Sequence, residues 1–482
     1  MITGILIIIP LLFALIVFSV KEEKWVRFFT LTGGLIEFLV SLFALYVYLN
    51  RCHCQLMLNI EWLDTLGVNL RFGMDGISLS LVLLTTFLMP LIIASSFFRK
   101  HKNPSAFYGL LLFMEMSFIG VFTSFDGLVF YIFWEMALIP AYFITALWGG
   151  RNRIRITFKF FIYTFTGSLL MLVALIYLYS CTPAPHSFSL NALYQLKLNL
   201  EQQTWIFLAF FLAFAIKIPV FPFHTWQPDT YTEAPAGGTM ILSGIMLKMG
   251  LYGLIRFVLP LSPLAVKEWG MFAVILAVTG IVYASIIAIR QNDLKRLVAY
   301  SSIAHVGLIA AGILTFKLIA LEGAMIQMVS HGINIVGLFF MISIIENRTK
   351  TRAISSLGGI AIAAPWFAAF FLVVLLGSIA LPLTNGFIGE FLLLLGIFEY
   401  NHWIAAIAGL TIVFSAVYML WMYQRTMLGR GNEKTHNFKD LSWREILILL
   451  PVVIMIFWIG LFPSFFLKLM APAIWEIMSY AH

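Results

Sequence analysis

The sequence predicts an all-α, polytopic membrane protein of about fourteen transmembrane helices, and three observations carry that prediction. Hydrophobic residues fill 61% of the 482 positions and charged residues 11%, against roughly 45–50% and about 25% in soluble domains. Apolar runs of about 20 residues, long enough to cross a bilayer, recur from end to end. The strict alternation over about ten residues that marks an outer-membrane barrel strand is absent, which leaves a helical bundle.

The first apolar run, 2–20, has no basic stretch ahead of it and reads as a first helix, not a cleaved signal. Runs at 28–49, 77–98, 106–125, 127–148 and 160–180 each fit one crossing. The seventh, 204–228, is expected to be broken, because Pro219 and Pro222 follow closely on Lys217. Each proline removes an amide donor and clashes with the preceding turn, freeing backbone carbonyls. Runs at 237–259, 270–289, 297–316 and 319–345 follow. The twelfth, 361–398, exceeds the roughly 17–25 residues of one straight span. It carries Leu381-Pro382-Leu383-Thr384-Asn385-Gly386 near its centre, so it counts as one broken crossing or as two. Runs at 402–424 and 446–468 complete the set.

Charge decides between the two counts, since cytoplasmic loops carry the excess of Lys and Arg. With 361–398 as one crossing, the odd-numbered loops hold 21 of the 30 basic residues, the even side holds seven, and Lys217 and Lys248 lie within spans. Two crossings would move the five basic residues of 425–444 to the opposite face. One broken helix is therefore expected, with both chain ends extracytoplasmic and a bacterial inner membrane as the setting. The formal net charge of +8 then reads as a topology signal and not as a nucleic-acid patch. Cys52, Cys54 and Cys181 form no CxxC and no cluster spacing, and Cys52-His53-Cys54 is only a weak metal candidate. No GxGxxG or GxxxxGK[ST] motif occurs, which argues against an enzyme acting alone.

Two interrupted helices, one in each half, point to an inverted repeat around a transport path. The expected division is 1–105 for helices one to three, 106–260 for a first five-helix unit, 261–428 for a second, inverted unit, and 429–482 for the last loop and span.

The ionisable residues inside the spans are the candidate machinery. A charge near the bilayer centre costs about 2.5–3.5 kcal/mol on insertion scales, so such residues face a protein interior and serve transport or proton relay. The set is Glu37, Glu115, Glu135, Lys217, Lys248, His305, His331 and Glu390. Glu37 stands alone in Leu35-Ile36-Glu37-Phe38, where a structural or lipid-facing role competes with function. The two histidines could serve as packing hydrogen bonders, yet an imidazole with a pKa of about 6.5 also accepts and donates protons near neutrality. Glu135 and Lys217 could neutralise one another; because a static buried pair adds little stability, a pair that joins and separates is the more useful reading, a gate on proton affinity.

These residues sit in motifs that resemble one family. Phe133-Trp134-Glu135-Met136-Ala137-Leu138-Ile139-Pro140, Ala215-Ile216-Lys217-Ile218-Pro219, Phe223-His224-Thr225-Trp226-Gln227-Pro228-Asp229 and Met246-Leu247-Lys248-Met249-Gly250 are similar to the antiporter-like membrane subunits of respiratory complex I. So are Ala299-Tyr300-Ser301-Ser302-Ile303-Ala304-His305 and Gln327-Met328-Val329-Ser330-His331-Gly332. The match runs in order along nearly the whole chain. It is nearest to the M type, the counterpart of mitochondrial subunit 4, because Gly389-Glu390-Phe391 stands where the L, N and cation-antiporter types carry a lysine. The chain also lacks the long lateral C-terminal helix of the L type, ending about fifteen residues after its last span.

The resemblance implies a proton-translocating subunit of the membrane arm of NADH:quinone oxidoreductase, moving protons from the cytoplasm outwards. It implies that Glu135 and Lys217 form a modulating pair and that Lys248 is the central relay. His305 and His331 would line the path, and Glu390 would be the terminal carboxylate. Glu115 is a further proton-transfer candidate, and His224 would lie near the cytoplasmic mouth. No cofactor or metal is expected in this chain; NADH, FMN, iron–sulfur clusters and quinone would belong to partner subunits. Expected partners are the other membrane-arm subunits, the neighbouring L and N chains among them, and membrane lipid. Tyr231-Thr232-Glu233 departs from relatives that carry a histidine there, which bears on the uptake route. Alternative readings are a subunit of a multi-chain sodium/proton antiporter, a subunit of a proton-pumping hydrogenase, or a non-conducting scaffold.

Overall fold

A computed structural model describes residues 1–50, 56–63 and 67–480, so the Cys52-His53-Cys54 candidate lies outside the described residues. Along the chain run α1 (Ile2–Ser19), α2 (Glu23–Asn50), a hairpin of β1 (Leu58–Leu63) and β2 (Val68–Phe72), α3 (Gly76–Ser96), α4 (Pro104–Thr123), α5 (Gly127–Trp148) and α6 (Arg153–Cys181). Then come α7 (Leu200–Lys217), α8 (Trp226–Glu233), α9 (Ala236–Leu261), α10 (Pro263–Arg290), α11 (Leu294–Leu314) and α12 (Leu318–Thr349). The chain closes with α13 (Pro365–Ser378), α14 (Asn385–Tyr400), α15 (His402–Met427), α16 (Trp443–Leu461) and α17 (Pro463–Ser479). Among the described residues twelve helices are long and apolar enough to cross a membrane: α1 to α6, α9 to α12, α15 and α16. The remaining two apolar runs of the sequence are each divided between two helices, α7 with α8 and α13 with α14.

Helix starts follow local chemistry. Asp75, Asp126, Asp293 and Asn401 accept hydrogen bonds from the exposed first-turn amides of α3, α5, α11 and α15. Asn199 with Gln202 and Ser442 with Glu445 close reciprocal capping boxes at α7 and α16. Burial sorts the helices into layers. The most apolar stretches of α9 and α12 are wholly buried, and that of α11 is 94% buried, whereas α1, α2, α15 and α16 bury only a third. The outer helices present Leu, Ile and Phe outward, as lipid tails allow, so the centre alone must satisfy polar groups internally.

At the first break the chain turns through 218–225. The freed carbonyls find partners: Trp226 Nε1 donates to Ile216 O at 2.8 Å, and Val220 N donates to Ala215 O at 2.8 Å. At the second break Ala380 and Leu383 adopt positive φ of 58° and 74°, a left-handed conformation that costs non-glycine residues energy. Asn385 holds the far side, exchanging amide hydrogen bonds with Asn334 of α12 at 3.0 and 3.1 Å and accepting from Ser330 Oγ on its carbonyl.

Two sequence expectations need correction, and one connection holds strands that were not expected from the sequence. The last span ends at Leu461, because Pro463 starts α17, a separate helix that buries Leu469, Met470, Ala473, Ile474 and Ile477 on one face. The connection after α2 folds as an antiparallel hairpin, with Arg71 donating to Ser189 Oγ at 2.6 Å. Lys295 and Arg256, counted as loop charges, lie inside helices at 1% and 3% exposure. Arg256 pairs with Asp75 and stacks over Phe125 and Tyr252. Removing one residue from each side leaves the charge bias of the loops intact.

Candidate functional site

The centre of the bundle holds a chain of contacts. Lys248, on α9, is fully buried; its ammonium donates to Ser243 O at 2.9 Å and lies 2.8 Å from Nδ1 of His331 on α12. Turns of π-helix at Leu242–Met246 and Leu254–Val258 flank this lysine, and such turns are frequent at functional sites. With the ammonium donating to Nδ1, the His331 proton sits on Nε2, which reaches Ser302 Oγ on α11 at 3.1 Å. His305, one turn further along α11, stands 6.3 Å from His331 between ring centres. Its Nδ1 meets Glu390 Oε1 of α14 at 2.8 Å. Gln327 of α12 donates to the same carboxylate oxygen at 3.3 Å.

Close backbone approach makes these contacts feasible. Gly332 follows His331, and a Cβ there would sit 3.0 Å from Gly244 O on α9. Gly389 precedes Glu390, and a Cβ there would lie 2.9 Å from Gln327 Cα. The helices that carry the two ends of the chain can therefore pack nearly in backbone contact, bringing short polar reaches together.

The one step in this chain without a direct hydrogen bond is between the histidines. There Ser301, His305, Gln327, His331, Asn334 and Ser378 border a cavity of about 10 Å³, room for one water molecule. Nε2 of His305 is buried without a hydrogen-bond partner. Lys248 with His331, and His305 with Glu390, are thus two pairs of proton-binding groups in direct contact, and the cavity separates the two pairs.

The other expected residues stand apart. Lys217 is 2% exposed and lies over the ring of Trp134, 5.1 Å from its centroid. Among the described residues it forms no ion pair with Glu135 within 4 Å, so the expected neutralising pair is not closed. Stacking on an aromatic face gives the cation a partner of about 0.5–2 kcal/mol in its place. Glu135 is half-buried, with Oε1 lacking a partner. Glu115 and Glu37 are fully buried, and all four carboxylate oxygens lack partners, so the lipid-facing reading of Glu37 falls. His224 lies in the first break, 4% exposed, packed on Phe221 and edge-on to Tyr283 at 5.1 Å. Among the described residues no hydrogen bond joins it to the central chain.

Sequence reasoning missed Ser302, Gln327 and Lys295 as members of this polar interior. Gln327 is four residues before His331 and therefore on the same helix face, a signal that was available. Lys295 was hidden by starting its helix at 297. Asp293, three residues before Arg296, is an acceptor cap that starts the helix at Leu294. A lysine then falls in the first turn, against the helix dipole, where it needs a specific partner. Among the described residues no group of histidine, cysteine and carboxylate side chains is arranged to hold a metal ion.

Comparisons with known proteins agree along the whole chain. The family model for the transmembrane region of NADH:quinone oxidoreductase and Mrp antiporter subunits matches residues 124–415, and that for the amino terminus of NADH-ubiquinone oxidoreductase chain 4 matches residues 5–122. NADH-quinone oxidoreductase subunit M of Rickettsia conorii is 41% identical, over 95% of this chain and 94% of its own length. Subunit M of Rhodobacter capsulatus is 38% identical over 96% and 91%. A chain of the respiratory complex I structure from Thermus thermophilus superposes with a TM-score of 0.92 at 31% identity, each chain fully covered. A chain of the Mrp complex from Dietzia shares the fold at a TM-score of 0.84 and 20% identity, with 52% of that chain covered.

Proposed function

The chain belongs to the subunit M family of NADH:quinone oxidoreductase, and from that premise we propose that Lys248, His331, His305 and Glu390 form its proton path. It is an antiporter-like, proton-pumping subunit of the membrane arm, part of a translocase in which it sits among other antiporter-like subunits. The observation that carries the path is the buried run of contacts from the Lys248 ammonium to the Glu390 carboxylate, interrupted only at the cavity between the histidines. Lysine, imidazole and carboxylate each bind and release a proton, so the run can load at Lys248 and discharge at Glu390. Lys217 acts on Lys248 through its charge: moving its ammonium from Trp134 to Glu135 would change the field one helix away. Glu115 and His224 are held to be outer members of the same path.

The basic loops face the bacterial cytoplasm in this reading, both chain ends face outward, and protons leave on that outer side of the inner membrane. Electron transfer from NADH to quinone, with its FMN and iron–sulfur clusters, belongs to partner subunits, and the L and N chains are neighbours. Relatives at about 40% identity over nearly the whole chain are oxidoreductase subunits, which favours this function over a sodium/proton antiporter or a hydrogenase.

The test is NADH-driven proton uptake by sealed inside-out vesicles carrying the assembled complex, at matched subunit content. Lys248→Ala and Glu390→Gln are expected to assemble and to lose pumping by about 10²-fold, the lower range for removing an acid–base group. Normal pumping in both variants would overturn the path.

A further inference from the structure

A third buried lysine lies on the basic-loop side of Lys248. Lys295, in the first turn of α11, is 1% exposed; its ammonium donates to Ala234 O at 2.9 Å and reaches Thr239 Oγ1 at 3.4 Å. Thr239 and Ser243 are fully buried on α9, one turn apart on one face, and the Ser243 carbonyl in turn holds the Lys248 ammonium. Outward of Lys295 is a partly exposed ion cluster: Glu346 pairs with Arg99 at 2.7 Å and with Arg352 at 3.9 Å, and Arg352 pairs with Asp293 at 3.1 Å. Glu346 lies close enough to Lys295 for its charge to act on the ammonium. Arg99 also borders a small polar cavity with Ser95, Ser96, Gly237, Ser343 and Asn347, beside the first turn of α9.

We propose that Lys295 is the uptake relay of the pump, taking protons from the Glu346 cluster and passing them along Thr239 and Ser243 to Lys248. The proposal deepens the transport reading and rests on it. A hydroxyl both accepts and donates, and hydroxyls one turn apart are separated by about 5 Å along the helix, a gap that one water molecule spans. Each transfer moves a single proton. Lys295 Nζ gives one to the Thr239 hydroxyl, which turns its own proton from the Tyr231 carbonyl through a water to the Ser243 hydroxyl; Ser243 turns its proton from the Thr239 carbonyl to the neutral amine of Lys248, and the Lys295 amine is reprotonated from the Glu346 side. Only N–H and O–H bonds change, and no electron moves.

The competing role is a clamp, in which Lys295 merely ties the end of α8 at Ala234 to α11. Arginine separates the two, because a guanidinium can hold a carbonyl and stay charged but does not release its proton within a protein. In vesicles carrying the assembled complex, Lys295→Arg is expected to lower NADH-driven proton uptake about tenfold or more with subunit content unchanged. Thr239→Val, which removes the hydroxyl's own bonds to Tyr231 O and Ala234 O but leaves the Lys295 bond to Ala234 O in place, is expected to lower it severalfold at unchanged subunit content, and this variant decides should Lys295→Arg fail to assemble. Lys248→Ala runs alongside. If Lys248→Ala loses pumping while Lys295→Arg and Thr239→Val pump like wild type, Lys295 is a clamp and the uptake proposal is wrong. If Lys248→Ala also pumps normally, the path itself is wrong.

Discussion

At the scale of single residues, the interior uses lysines and carboxylates in two different ways. Lys248 and Glu390 have hydrogen-bond partners that can also carry protons, His331 and His305. Lys217 instead faces an aromatic ring and Arg256 a carboxylate, partners suited to holding a charge in place. A pH effect on stability is expected at His101, in the connection between α3 and α4, which borders the same small cavity as Arg99. Its ring stacks on Phe107 with centroids 3.8 Å apart. Burial lowers its pKa from 6.5 to about 4. Because the folded value is depressed, its contribution to stability is present above pH 6.5 and is lost as pH falls towards 4, where the unfolded chain binds the proton first. Thermal unfolding in detergent should therefore show a smaller drop in Tm between pH 7.5 and 5 for His101→Phe than for wild type. An identical drop would mean that the histidine titrates alike in both states.

At the scale of elements, the breaks and the close helix contacts bring Lys248, His331, His305 and Glu390 together. The break between α13 and α14 lets Glu390 enter the centre near the start of a new helix, and the Asn334–Asn385 amide pair fixes that helix on α12. Gly389 sets the spacing. Gly389→Val is expected to push α14 from Gln327 by a few tenths of an ångström, separate Glu390 from His305, and cost about 1–3 kcal/mol by overpacking. The check is a lowered Tm of the assembled complex together with reduced NADH:quinone turnover. Wild-type values of both would show that α14 has slack at this contact. The same close approach operates at Gly332 against Gly244 O, where α12 brings His331 to Lys248.

At the scale of the whole molecule, burial and loop charge together set the architecture. The wholly buried apolar stretches of α9 and α12 and the nearly buried one of α11 form a polar-cored centre, and the peripheral helices offer apolar faces to lipid. The orientation of this assembly is testable by labelling. In a cysteine-free background, Lys100→Cys and Lys434→Cys are expected to react with a membrane-impermeant thiol reagent from the cytoplasmic face, and Ser187→Cys only from the opposite face. Reaction of Lys100→Cys and Lys434→Cys from opposite faces would require an odd number of crossings between them in place of the ten counted here, and the single-crossing reading of 361–398 would fall.

Class, most apolar helices and most members of the buried polar chain were legible in the sequence, because a bilayer imposes rules that act locally. An apolar run must be a helix long enough to cross, a proline must interrupt it, and a charge within it must have a purpose. Lys248, His331, His305 and Glu390 were visible on that ground alone. Which of the buried charges touch one another was not legible, since it depends on helices 83 and 85 residues apart in sequence meeting at glycine contacts. Distances of this kind gave Lys217 to Trp134 in place of Glu135, moved Lys295 from a loop into the interior, and turned the hydrophobic tail after Pro463 into a separate helix. Local chemistry fixes where a chain enters and leaves the membrane; only packing fixes which side chains share its interior, because each contact there is the joint product of two helices.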